Sequence, residues 1–85
     1  MESVMFLTVR NNEGALERLL RVTRHRGFAV QSLQVQNSRS QDIYDVTLRL
    51  TGERATENLS RQLGKLVDVM SVNAVAEPML LRSAV

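Results

Sequence analysis

Eighty-five residues with 44% hydrophobic and 24% charged side chains are enough for one domain with a modest core, and they exclude a disordered, collagenous or low-complexity chain. The absence of cysteine rules out disulfide staples, thiolate zinc sites and a thiol nucleophile, and the single histidine, His25, cannot build a multi-histidine metal site. The net charge of +2 is small, but it arises from ten arginines and one lysine, an unusual split. The opening stretch MESVMFLTVRNN has no basic segment ahead of its apolar run, and no apolar run approaches the roughly 18 residues of a membrane span, so a cytoplasmic protein is expected.

From Val4 to Val9 the chain is rich in β-branched and apolar residues, and both faces of this first strand are largely apolar, as befits a strand inside a sheet. Asn11, Asn12, Glu13 and Gly14 then form a sharp loop, placing backbone N–H groups at the positive end of a helix where a small carboxylate could dock. The alternative is plain helix capping by Asn11 or Asn12. Gly14 weighs against it: glycine in a first helical turn costs about 1 kcal/mol relative to alanine and leaves the backbone bare for close approach.

From Glu13 the period becomes helical, with Leu16, Leu19, Leu20 and Thr23 at i, i+3, i+4 and i+7 and Glu17–Arg21 as an outer ion pair. Arg24, His25 and Arg26 load the last turn, and Gly27 is placed to take the left-handed conformation that ends a helix. Four arginines, Arg18, Arg21, Arg24 and Arg26, crowd this helix. They are either a solvated face or a docking surface, for which directional guanidinium contacts favour an acidic protein.

The second strand runs from Phe28 to Gln36. Its apolar phase slips from even positions (Phe28, Val30) to odd ones (Leu33, Val35), which calls for a β-bulge near Gln31 and Ser32. After the polar turn Asn37 to Gln41, the third strand sends Tyr44, Val46, Leu48 and Leu50 one way and Asp45, Thr47 and Arg49 the other, marking a sheet covered on one face. Thr51 and Gly52 break it. Ala55, Leu59, Leu63 and Leu66 then repeat at helical spacing, with Glu57–Arg61 as an outer pair and Gly64 as a point of close packing. Val67 to Val75 is the fourth strand, Pro78 ends regular pairing, and residues 79–85 are expected to be a mobile tail in which Met79, Leu80 and Leu81 are a potential contact point.

The order βαββαβ predicts an α+β, ferredoxin-like fold: one four-stranded antiparallel sheet with two helices on one face, residues 1–78 forming the domain. An open sheet face and two sheet edges make a symmetric homodimer the default expectation. RNA recognition on this scaffold needs stacking aromatics on the central strands, and the only aromatics are Phe6, Phe28 and Tyr44, the last on the core side. A metal-transfer role would need a Cys-x-x-Cys motif, and Arg10 with the following asparagines lacks the glycine run of a phosphate cradle. No serine, histidine and acid converge by periodicity, so catalysis by this chain alone is not expected.

Taken together, NNEGALERLLRVTRHRGF, VQSLQV and QLGKLVDV resemble the ACT-domain small subunit of acetolactate synthase (acetohydroxyacid synthase), an enzyme of valine, leucine and isoleucine biosynthesis, over roughly Val4 to Val75. The short length is similar to the isozyme II type. The resemblance implies a non-catalytic regulatory chain with no catalytic residue, metal site or cofactor of its own. Thiamine diphosphate, magnesium and FAD are then expected on the catalytic large subunit, the partner it would bind and activate, with valine as the candidate effector. It further implies an effector pocket at an ACT dimer interface, with Asn11, Asn12, Gly14 and Ala15 on one side and Ala29, Val35 and Gln36 on the other.

That second side usually reads Asn-Ile-x-Ser-Leu-x-Val followed by a small residue. Here Ala29 removes a polar group and Gln36 adds bulk. One lost hydrogen bond to a charged group costs on the order of 1.5–3 kcal/mol, or roughly ten- to a hundredfold in affinity, so effector binding is expected to be weakened. Two other classes remain open from sequence: a free-standing amino-acid-sensing ACT protein serving another enzyme, and a nucleic-acid-binding module using the basic helix. Neither nucleic acid nor membrane is the expected partner.

Overall fold

A computed structural model describes residues 2–38 and 42–76. The elements follow in the order β1 (Glu2–Arg10), α1 (Ala15–His25), β2 (Ala29–Asn37), β3 (Ile43–Thr51), α2 (Thr56–Gly64) and β4 (Val69–Ala76). They build one antiparallel sheet in the order β2-β3-β1-β4, the expected ferredoxin-like arrangement. The expectations for Pro78 and for the tail at 79–85 lie outside the described residues.

β1 is a central strand, and its composition explains why. Ser3, Met5, Leu7 and Val9 are buried on the side of the helices, and Val4 is buried on the other side. Opposite them, Leu50, Leu48, Val46 and Tyr44 of β3 pair in register with Ser3, Met5, Leu7 and Val9, so one continuous apolar layer faces α1 and α2. Leu19 of α1 and Leu59 and Leu63 of α2 close over that layer, each fully buried. Burying a leucine side chain stabilises by about 1.5–3 kcal/mol, so these three and Leu48 dominate the core.

Local punctuation does much of the positioning. β2 pairs with β3 through Val30↔Leu50 and then Ser32↔Arg49, so Gln31 is the extra residue of a bulge where the apolar phase slips. Without it, Leu33 and Val35 would turn away from the core. At the end of α1, Gly27 adopts φ 89°, the Gly27 amide donates to Arg24 O at 3.0 Å, and the Phe28 amide donates to Thr23 O at 3.3 Å. This is a Schellman ending, and it delivers Phe28 directly into the core. Thr23, the polar member of the helical stripe, satisfies its buried hydroxyl by donating to Leu19 O at 2.8 Å.

Several sequence expectations need correction. Val67 is not in β4: it sits in the turn after α2 and is 85% exposed. Gly64 is not a point of close packing, since it is exposed and its Cβ position faces open space. The packing-critical glycine is Gly52, where a β-carbon would lie 2.6 Å from Phe28 Cδ1. The outer pairs Glu17–Arg21 and Glu57–Arg61 do not close to ion-pair distance, in keeping with the small worth of exposed pairs.

Candidate functional site

The loop between β1 and α1 brings Asn11, Asn12, Gly14 and Ala15 together at one end of the sheet. Asn11 and Asn12 are exposed, Gly14 is half-buried, and Ala15 is buried as the first residue of α1. The Asn12 side-chain amide is directed to Asp68 and not to the helix. The N-cap is Gly14, in the left-handed conformation with φ 80° and ψ 0°. Gly14 therefore sets the angle at which β1 feeds α1, a task for which a residue without a β-carbon is suited.

The loop is stitched to both neighbouring connections. Asn11 N donates to Asp42 O at 2.8 Å, tying it to the β2–β3 hairpin, and Arg10 N donates to Asp68 O at 2.7 Å, tying it to the α2–β4 turn. Asn12 N donates back to Arg10 O at 2.8 Å, so the loop turns tightly. Arg10, Asn11, Asn12, Asp42, Ile43 and Met70 line an open cleft of about 400 Å³ at this end. Gly14 and Ala15 lie outside its lining.

The chemical centre of the loop is Asp68, which periodicity hides inside an apolar strand-like run. Its side chain is buried. Asn12 Nδ2 donates to Asp68 Oδ1 at 2.6 Å, and Arg18 Nη2 donates to Asp68 Oδ2 at 2.7 Å, closing an ion pair. The Asn12 and Arg18 hydrogen bonds hold the Asp68 carboxyl below the usual aspartate range, and the charges of Arg18 and Arg10 act in the same direction, against the opposing effect of burial. Arg18 Nη2 also reaches Glu13 O at 3.3 Å. Asn12 and Arg18 thus clasp the chain's own carboxylate beside the first turn of α1.

This clasp separates Arg18 from the other arginines of α1. Arg18 turns to the N-terminal end of the helix, Arg21 and Arg26 border a groove between the helices, and Arg21 also lines a neighbouring shallow surface with Glu17, Leu20 and Arg24. Arg18 is thus set apart, while Arg21 borders both the surface shared with Arg24 and the groove shared with Arg26.

The residues expected on the second side of an effector pocket lie on β2, an edge strand. Val35 pairs with Val46 on the helix side, and Gln36 pairs with Asp45 on the open side of the sheet. Ala29 pairs with Thr51 at the opposite end from Asn11. Seven steps along the strand separate Ala29 from Gln36, roughly 23 Å at 3.3 Å per step. Within one protomer, Ala29 and the Asn11 loop do not meet.

Comparison with known proteins bears on this loop directly. A family model described as the ACT domain matches residues 11–72, from Asn11 through the Asp68 turn. The acetolactate synthase isozyme 2 small subunit of Escherichia coli is 38% identical over 72 residues, which span 85% of this chain and 83% of that protein. The isozyme 3 small subunit of the same organism is 30% identical over 78 residues, covering 91% of this chain and 48% of its own length, so the chain spans about half of that relative. Among solved structures, the acetolactate synthase small subunit of Thermotoga maritima superposes with a TM-score of 0.77 at 25% identity, covering 87% of this chain and 47% of that one. The ACT domain of a GTP pyrophosphokinase of Chlorobium tepidum superposes at 0.74 with 12% identity, a likeness of fold alone.

Proposed function

Since the chain belongs to the ACT-domain small subunits of acetolactate synthase, we propose that it is a regulatory subunit that binds the catalytic large subunit, raises its activity and does no chemistry itself. The observation that carries this reading is the 38% identity to an isozyme 2 small subunit across 83% of that protein's length. Activation requires only that binding favour the competent arrangement of the large subunit, and an effector opposes it through differential affinity for the two states. The chain works in the cytoplasm, with thiamine diphosphate, magnesium and FAD held by the catalytic partner.

The working form is a homodimer. β2 offers a nine-residue edge strand for pairing, and Ala29 lies too far from Asn11 for both to serve one pocket within a single protomer. Valine is the effector we propose for the pocket so formed, with Asn11 and the Gly14 backbone as its principal ligands. Binding is weak, because Ala29 supplies no polar group and Gln36 is bulky.

The test is acetolactate formation by the purified cognate large subunit, with and without this chain, then with millimolar-range valine. Activation that valine leaves largely intact is the expected result. No activation and no co-elution would refute the regulatory reading and favour an amino-acid sensor serving another enzyme.

A further inference from the structure

Resting on the regulatory reading, we infer that the groove between α1 and α2 is the surface that receives the large subunit, and that its occupant is an acidic, amphipathic surface segment of that partner. The groove encloses about 350 Å³. Arg21 and His25 of α1, Arg26 at its C-cap and Lys65 after α2 rim it, while Val22 and Leu66 form an apolar floor continuous with the core.

Three observations point to an acidic protein segment. First, Arg21, Arg26 and Lys65 bring three full positive charges to the groove, more than the net +2 of the entire chain, and no carboxylate lines it. None of these cations has an ion-pair partner among the described residues. Second, the basic rim continues past the groove, where Arg26 and Arg54 flank a smaller cleft beside Gly27. Third, Val67, the residue next to Leu66 in the chain, is 85% exposed, an apolar side chain left open to solvent in the same turn. Carboxylates on the rim and an apolar side chain on the floor match that arrangement. A nucleic-acid backbone would satisfy the cations and leave the floor unused.

The test is binding of the cognate large subunit to the full chain, by titration and by activation. The double charge reversal Arg21→Glu/Arg26→Glu should weaken binding at least tenfold. Arg21→Lys/Arg26→Lys should retain most of it, and Asn73→Glu, on the open face of the sheet, should leave it unchanged. Thermal melts establish that each variant folds. The affinity of the native chain should also fall as salt rises from 50 to 500 mM.

If the native chain neither binds nor activates, the regulatory reading itself fails. If it binds and the double reversal binds equally well, the groove is not the docking surface, although the regulatory reading stands. Equal damage from Asn73→Glu, or capture of duplex DNA or RNA with the same dependence on Arg21 and Arg26 while large-subunit binding is spared, would likewise overturn the inference.

Discussion

Replacing Gly14 by alanine tests the geometry of the β1–α1 loop most directly. Gly14 holds φ 80°, where a β-carbon costs about 1–2 kcal/mol. That β-carbon would also stand 3.1 Å from Arg18 Nη1, so the guanidinium must give by a few tenths of an ångström while it remains tied to Asp68 at 2.7 Å. The guanidinium is the end of a flexible side chain, 47% exposed, so the backbone term dominates. A domain of this size loses roughly 4–8 °C in Tm per kcal/mol, which puts Gly14→Ala about 5–15 °C below the native chain. Gly14→Asn introduces the same β-carbon contact but tolerates the left-handed region better, so it should be less damaging than alanine. Urea and thermal denaturation at neutral pH, followed by far-UV circular dichroism, measure both variants. Alanine within about 0.5 kcal/mol of the native chain, or asparagine worse than alanine, would refute the conformational argument.

Three more outcomes follow from the same structure. Asp68 has its folded-state carboxyl held below the ordinary aspartate value of about 4, so its contribution is fully present above that value and is lost as the pH falls through the lower folded-state value. Denaturant melts from pH 7 down to 2 should show that acid loss in the native chain and a flatter profile in Asp68→Asn, which is less stable at neutral pH. Gly52→Ala drives a β-carbon against the Phe28 ring at 2.6 and 2.9 Å and should cost about 1–3 kcal/mol; adding Phe28→Leu should recover part of it in a double-mutant cycle. Leu48→Ala, at a fully buried position between β1 and β2, should cost about 2–5 kcal/mol and leave a substantial unfolded fraction at 37 °C in a chain of this length, as read by chemical denaturation.

Features governed by local period were legible in the sequence. Tyr44, Val46, Leu48 and Leu50 declare their face by alternation, the phase slip after Val30 locates the bulge at Gln31, and Gly27 after three basic residues marks the Schellman ending. Asp68 escaped notice for a physical reason. Its neighbours Val67 and Val69 read as strand, and a turn preserves no period that would set the aspartate apart. Arg18 was hidden in the same way: helix spacing groups it with Arg21, and only tertiary proximity across 50 residues reveals the carboxylate it serves. The residue types of the loop were visible, but the partner that orders them was not.

The bonds to Asp68 also decide which pieces of the chain can carry a finished loop. Asn12 meets its partner 56 positions away, and Arg18 meets the same carboxylate 50 positions away. A fragment ending before the α2–β4 turn would retain every residue from Asn11 to Ala15 and still lack the group that anchors Asn12 and Arg18. During synthesis, this end of the molecule waits until the α2–β4 turn has been made, and a truncation that spares the whole loop can nonetheless erase its shape.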